Sequence, residues 1–533
     1  MPSTYALPFF RPKTSALAFW LPAIAIYGGI ALYWFGDPVS HSFSREDLWQ
    51  YIAAIGALAD DPWSPLNPFV AGDFASRLFG PVHLATGIVG HYLHLNLVQM
   101  FGLVCLFNAA LLVAGIHVFA LKYYRSDWGP AALLAVLICG WNIQPLVFTG
   151  IESPAALIFG IGYPATTAIG AGLLAWGWSI ALLETRDRTP WRGLGGIALL
   201  VAAMFINHQL GGGIAIIGMA CLGAFWPALF RRRVALAAAV AAGLALAALW
   251  PWFDVYAVFF TANRGFWNVP DFNFYSFAVL FTMLAPGIIG IFALRLPMLA
   301  MLACFFGIYM LGLVGQPVAH RFLAPTALVL HIGYAQLVFD NWRRRSGLIL
   351  VFTIPLFAIN SWATYSFIGD YAVIRSINGN VMVNARCLLA DRPTGIAAYE
   401  VAAWPIVVNG LKVYVTPYPE TLIPDQEARW QRNRALFEAP VDAAARRRMA
   451  AAIGVRVLVA HTIGDKLALS RPDQARLARQ AWRVSHIQSL VRYDLFPPPA
   501  GTSPAVVPAD PGCAVTRGAA VAVAPTGARP AGR

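Results

Sequence analysis

The chain has 533 residues, of which 59% are hydrophobic and only 12% charged, whereas an ordinary soluble domain is roughly 45–50% apolar. A mean hydropathy of +0.62 excludes both a soluble globular protein and a disordered one, and apolar runs of about 20 residues point to repeated membrane crossing. The formal charge of +13 does not describe a nucleic-acid binder, because the basic residues fall in short clusters between apolar runs, as membrane topology requires.

Arg11 and Lys13 precede the apolar run Ser15–Phe35, which is too long for a signal-peptide core and lacks a small-residue cleavage site after it. It reads as an uncleaved signal anchor with a cytoplasmic N-terminus. Residues 36–96 are then the one long polar stretch in the apolar two-thirds of the chain. They hold six carboxylates, four histidines and two arginines. Within them Leu48, Tyr51, Ile52, Ile55 and Leu58 have the spacing of one helix face. Ser44 reads as the N-cap of that helix, with Asp47 at the capping-box position, and Trp49 and Tyr51 suit a helix lying on the bilayer surface. The adjacent Glu46 and Asp47, just outside the first span, equally suit a general base beside a membrane-embedded substrate.

Further spans are expected at about 97–121, 129–150, 161–184, 193–207, 210–229, 234–253, 273–293, 297–315, 322–340 and 348–368, about eleven helices with the first. Between two of them, Asn207-His208-Gln209 precedes three glycines. Two short spans and a re-entrant or broken helix fit this stretch equally, and the orientation downstream is the same either way. An ionisable group there is a functional candidate by default, though a histidine satisfied by the backbone at a helix end is the competing account. His320-Arg321 stands at the other notable membrane edge, where the arginine either snorkels to the headgroups or holds a phosphate.

Counting Lys and Arg on alternate sides gives fourteen on the side of the N-terminus and four (Arg45, Arg77, Arg264, Arg321) on the other, before residue 370. The first side is therefore cytoplasmic, and an odd number of spans puts residues 36–96 and the C-terminal part together outside. From Asp370 the composition turns soluble and mixed α/β. Strands are expected at Cys387–Asp391, Lys412–Thr416, Val455–His461 and near Gln488–Phe496, and helices at Gln426–Phe437, Asp442–Ile453 and Pro472–Trp482. Past Pro497 the Pro/Gly/Ala-rich tail, residues 498–533, is expected to be disordered. Cys105, Cys139, Cys221 and Cys304 fall in apolar spans as small packing residues, whereas Cys387 and Cys513 lie in the soluble part, where an oxidising compartment would let them pair. The chain thus divides into a transmembrane part, 1–369, carrying the loop 36–96, an α/β domain, 370–497, and a tail.

The order of several short motifs carries a family likeness. A basic N-terminus and one span lead to an external loop that opens with Arg45-Glu46-Asp47 and continues through Pro65-Leu66-Asn67-Pro68 and Phe79-Gly80-Pro81-Val82-His83. Tyr163-Pro164, Asn207-His208 and Gly315-Gln316-Pro317 with His320-Arg321-Phe322 follow. Over residues 10–370 this resembles the GT-C class of integral-membrane glycosyltransferases, and the C-terminal segment looks like the soluble appendage of bacterial members. The resemblance implies transfer of a sugar from a polyprenyl-phosphate donor to a lipid, glycan or protein acceptor at the outer face of a bacterial inner membrane, without metal or other cofactor. It places Asp47 or Glu46 as the base and Arg321 at the donor phosphate. His320, His208, His83 and Arg264 are further substrate-binding candidates. A lipid-linked polysaccharide polymerase or ligase shares this topology and substrate. A transporter or flippase would carry charges at mid-membrane, whereas here they sit at span ends, and a non-catalytic assembly protein is the remaining alternative.

Overall fold

The computed structural model describes residues 14–36, 46–139, 154–185, 191–261, 285–316, 319–344, 380–416, 425–462, 468–487, 490–497 and 516–518, with 354, 358, 362 and 422–423. In chain order its main elements begin with α1 (Thr14–Phe35), α2 (Glu46–Asp60), α3 (Pro81–Leu93), α4 (Leu97–Tyr124), α5 (Gly129–Cys139) and α6 (Pro154–Gly160). They continue with α7 (Pro164–Glu184), α8 (Trp191–Asn207), α9 (Gln209–Phe225), α10 (Phe230–Ala247), α11 (Leu296–Met310) and α12 (Leu323–Arg344). The C-terminal part holds α13 (Asn380–Leu388), β1 (Ile396–Ala398), α14 (Ala403–Val408), α15 (Gln426–Glu438), α16 (Ala443–Ala452), β2 (Val457–His461), α17 (Arg471–Gln480), β3 (Arg483–Ile487), β4 (Leu490–Asp494) and β5 (Thr516–Gly518).

The protein is a helical membrane protein with a small sheet. Among the described residues, five helices are long and apolar enough to cross a bilayer: Thr14–Phe35, Leu97–Tyr124, Pro164–Glu184, Leu296–Val314 and Leu323–Asp340. The apolar helices α5, α8 and α9 are shorter, at 11, 17 and 17 residues. Residues 140–150 and 273–284 of the expected spans, and most of 348–368, lie outside the described residues.

Chain contacts divide the molecule into two compact units. The first comprises Met1–Gly36, Gly80–Val82 and Phe101–Ala372. Here α4 and α7 meet almost backbone to backbone: a Cβ on Gly115 would stand 2.2 Å from the Gly170 carbonyl oxygen, so neither helix tolerates a side chain at the crossing. Small residues at such crossings supply the close packing that a membrane, which offers no hydrophobic driving force between helices, otherwise denies. The helices α7, α8 and α9 pack on one another, and α10 packs on α8.

The second unit comprises Asp37–Phe79, His83–Met100 and Val373–Arg533. Its sheet runs β1-β2-β4-β3-β5, with β1 and β2 parallel and the remaining pairs antiparallel. Leu436, Phe437, Ala450, Leu458, Leu477 and Tyr493 form the core under it, from α15, α16, α17 and the central strands. The expected helices at 426–437, 442–453 and 472–482 and the strand at 455–461 are present, Asp442 and Ser470 acting as N-caps by accepting from the amides of Ala445 and Asp473.

Two expected strands are corrected. Cys387–Asp391 is the end of α13 and a turn. Asn384, Ala385, Cys387 and Leu388 are buried in it, at helical spacing, so the short apolar run Cys-Leu-Leu-Ala misled as a strand. Lys412–Thr416 reaches only isolated bridges at Val413, whose two partners are Ile396 and Val70. The second of these partners carries the larger consequence. The Val413 amide donates to the Phe69 carbonyl (2.8 Å) and the Tyr414 amide to that of Ile396 (2.7 Å), so a piece of the polar stretch 36–96 is hydrogen-bonded outside β1.

Candidate functional site

The acidic stretch is held within the second unit by contacts that run far along the chain. Asn67 is fully buried. Its Oδ1 accepts from the amides of Phe69 and Val70, and its Nδ2 donates to the Ala75 carbonyl, which fixes the loop as an Asx turn. Lys412 Nζ donates to the Asn67 carbonyl (2.5 Å). Burial lowers the Lys412 ammonium from its ordinary range, and the Asp60 carboxylate works against that shift. The Phe69 ring meets Trp404 of α14 edge-on with centroids 6.1 Å apart, and the Arg429 guanidinium of α15 lies over Phe74 at 5.1 Å.

Against this frame α2 is a core helix rather than a helix lying on the bilayer, which corrects the reading of Trp49 as an interfacial anchor. Leu48, Trp49, Gln50, Ile52, Ala53, Ala54, Ile55 and Leu58 are all buried, and α2 packs against α14. Glu46 and Asp47 occupy its first turn, and their side chains lie outside the described residues. One turn after Asp47, Tyr51 packs on the His83 ring of α3 with centroids 5.7 Å apart. His83 is itself buried, at 2% exposure, and its Nδ1–H donates to the Leu78 carbonyl at 2.8 Å. Burial pulls its imidazole down to about 4, outweighing the opposing effect of that hydrogen bond, so the ring is neutral at pH 7.

In the first unit the break between α8 and α9 is a one-residue connection. His208 is extended (φ −155°, ψ 94°), and its Nδ1 accepts from the Gly211 amide at 2.9 Å, capping α9. The backbone-satisfied account of His208 therefore holds for one ring nitrogen, and when neutral the ring carries its proton on Nε2. Asn207, the last residue of α8, is buried, and among the described residues neither Oδ1 nor Nδ2 has a hydrogen-bond partner. Gly80 adjoins it: a Cβ there would stand 2.8 Å from Asn207 Oδ1.

The entry to α7 is stapled by groups that sequence reasoning passed over. Fully buried Asn108 of α4 donates through Nδ2 to the Ile161 carbonyl (2.8 Å) and accepts from Thr167 Oγ1 (2.6 Å), while Thr166 Oγ1 donates to the Gly160 carbonyl (2.6 Å). These bonds satisfy the irregular backbone before Tyr163-Pro164, which the bilayer would leave costly. The available signal was an Asn in the middle of a strongly apolar span. Arg321 is half-buried in the 3-10 turn Ala319–Phe322 that leads into α12. The side chain of His320 and the whole of Arg264 lie outside the described residues.

No family model matches the chain, and no curated protein matches it in sequence. Among solved structures the fold is similar to that of the arabinofuranosyltransferase AftD from mycobacteria, determined by single-particle cryo-EM. The TM-score is 0.54 and the identity 16%, with 89% of this chain and 40% of that one covered. The chain thus spans well under half the length of that protein. At this identity the likeness is one of fold alone, and it agrees with the GT-C fold that the order of the motifs implied.

Proposed function

We propose that this protein is a membrane glycosyltransferase that moves a sugar from a polyprenyl-phosphate donor to a lipid, glycan or protein acceptor on the extracytoplasmic side of a bacterial inner membrane. The observation that carries this reading is the fold likeness to a membrane glycosyltransferase over 89% of the chain. The acid pair Glu46-Asp47 supports it further, because it begins a helix buried on nearly every side, and rigid elements hold catalytic groups in place better than free loops.

In this reading Asp47 or Glu46 takes the proton of the acceptor hydroxyl as its oxygen attacks the anomeric carbon. The bond from that carbon to the phosphate oxygen breaks, and the lipid phosphate leaves with the electron pair. Arg321 stabilises the charge on the departing phosphate, its planar guanidinium offering two parallel bonds. His208, His320 and Arg264 are assigned to substrate binding. His83 is assigned to positioning instead, since its buried neutral ring packs on Tyr51, one turn along α2 from Asp47 in sequence. The external placement rests on the fourteen-to-four charge bias, and on Cys387 being disulfide-bonded while Cys105, Cys139, Cys221 and Cys304 are free.

The name of the structural neighbour makes arabinofuranose the first sugar to test. Membranes containing the protein are supplied with radiolabelled polyprenyl-phosphate sugars, arabinofuranose first, and extracted for labelled product. Product that depends on the protein supports the reading. Labelled donor recovered intact across the whole panel would overturn it.

A further inference from the structure

The end of α7 and the start of α8, which the charge bias assigns to the cytoplasmic side, enclose an open cavity of about 330 Å³. That is within the roughly 300–1,000 Å³ of ordinary ligand pockets, and the proposed reaction makes no use of it. Trp178, Ala181 and Thr185 stand three and four residues apart, so they share one face at the end of α7. Ile197 and Gly193 of α8 line the cavity from the other side. The Trp178 ring packs on α8 so closely that a Cβ on Gly196 would stand 2.7 Å from it, which fixes the spacing of the two helices. Thr185 Oγ1 spends its proton on the Ala181 carbonyl (2.7 Å). The one charged group in the lining is Arg192, exposed at the start of α8. It has no hydrogen bond or ion pair among the described residues. The two helices hold a single acid, Glu184, and the Arg125 guanidinium bonds that carboxylate. Beside Arg192, Trp191 is 80% exposed, as suits an indole at the headgroup level of a bilayer.

The lining narrows the ligand. A free phosphate would lose its hydration against Trp178 and Ile197 for one cation in return, and an uncharged chain would leave the arginine unused. An amphiphile with a single negative charge matches both parts. A zwitterionic headgroup matches less well, because it brings an ammonium for which the lining offers no acid. The 21 residues of α7 cover about 30 Å at 1.5 Å per residue, the thickness of a bilayer core. The cavity therefore meets the leaflet opposite the Tyr163-Pro164 end, which lies on the side where the sugar donor is consumed. We infer that α7 and α8 form a binding site for an anionic phospholipid of the cytoplasmic leaflet. Arg192 holds its phosphodiester, and the apolar walls hold the methylenes that follow. The site is independent of the transferase reading and takes only the membrane orientation from the charge bias.

The test titrates the full-length protein in mild detergent with phosphatidylglycerol and reads bound lipid by native mass spectrometry. Phosphatidylethanolamine, undecaprenyl phosphate and inorganic phosphate are the parallel arms. Wild-type protein should bind one phosphatidylglycerol in preference to the other three. Arg192→Gln should weaken that binding about ten- to a hundredfold, the worth of a hydrogen bond to a charged group, and lose most of the preference over phosphatidylethanolamine. Arg231→Gln removes an exposed charge at the start of α10, outside the cavity lining, and should cost no more than about fivefold. Ala181→Phe, which fills the cavity from its wall, should weaken both phospholipids. Equal losses in Arg192→Gln and Arg231→Gln would mean the diffuse attraction of a basic surface, and the site would be wrong. Unchanged affinity in Arg192→Gln would make the arginine a snorkelling side chain. Tighter binding of undecaprenyl phosphate, or displacement of the lipid by inorganic phosphate at equal concentration, would give the cavity to another ligand. A reporter fused after Thr185 should read as cytoplasmic, and an external reading would overturn the choice of leaflet.

Discussion

The contact between Phe69 and Trp404 is the most direct handle on whether the acidic stretch and the C-terminal part fold as one. Both rings are buried, at 2% and 1% exposure, and meet edge-on at 6.1 Å, although 335 residues of chain separate them. Truncating either to alanine would cost about 3–5 kcal/mol, a large part of the roughly 5–15 kcal/mol that holds a whole domain. A double-mutant cycle is therefore better run with Phe69→Leu and Trp404→Leu, which keep much of the bulk and lose the ring pair. An edge-to-face pair is worth about 0.5–1.5 kcal/mol beyond the area it buries. The double variant should thus be less destabilised than the two singles added together, by about that amount. Stability is read by pulse proteolysis in detergent, following cleavage in residues 61–79 and in α14 separately. Both regions should become cleavable together, and transfer activity should fall in step although neither ring is assigned to substrate. Single-variant costs that add to within about 0.3 kcal/mol, with the two regions opening at different denaturant concentrations, would refute the claim that they form one unit.

Four further outcomes are expected. Burial holds the imidazoles of His83 and His461 at about 4, below the ordinary 6.5, so the unfolded chain binds the extra protons. Stability is then full above pH 6.5 and drains as pH falls towards 4, by about 3 kcal/mol for each histidine, and a melting temperature unchanged between pH 7 and 4.5 would contradict this. Asp47→Ala and Glu46→Ala should separate base from bystander, one variant losing about 10²–10⁴ in transfer rate at normal expression, and full activity in both would reduce the pair to a helix start. Arg321→Lys should keep part of the donor affinity and lose rate, while Arg321→Ala loses both; an alanine variant with wild-type donor dependence would make Arg321 a snorkelling anchor. Peptide mapping without reductant should find Cys387 joined to Cys513, and a reporter fused after Ile368 should read as external; a reduced Cys387 in freshly purified protein would remove that support for the oxidising side.

Membrane class, the polar stretch 36–96 and the soluble turn of composition after Asp370 were legible in the residues themselves, because hydropathy and charge act locally and are read in windows no longer than a helix. For the same reason the capped helices at Asp442 and Ser470 and the strand ending at His461 could be placed. The motif order likewise pointed to the GT-C fold without any one motif being specific. Only the tertiary structure decided what α2 rests on. Its apolar face predicts burial but cannot name α14 as the partner, and a lysine at 412 carries no sign that it will bond a carbonyl 345 residues earlier. Strand pairing is likewise a property of two segments, so Val413 beside Val70 was out of reach of any local pattern. That the Asn207 amide meets no partner among the described residues was hidden for the same physical reason: whether a polar group is satisfied depends on everything packed around it, here a glycine more than a hundred residues upstream.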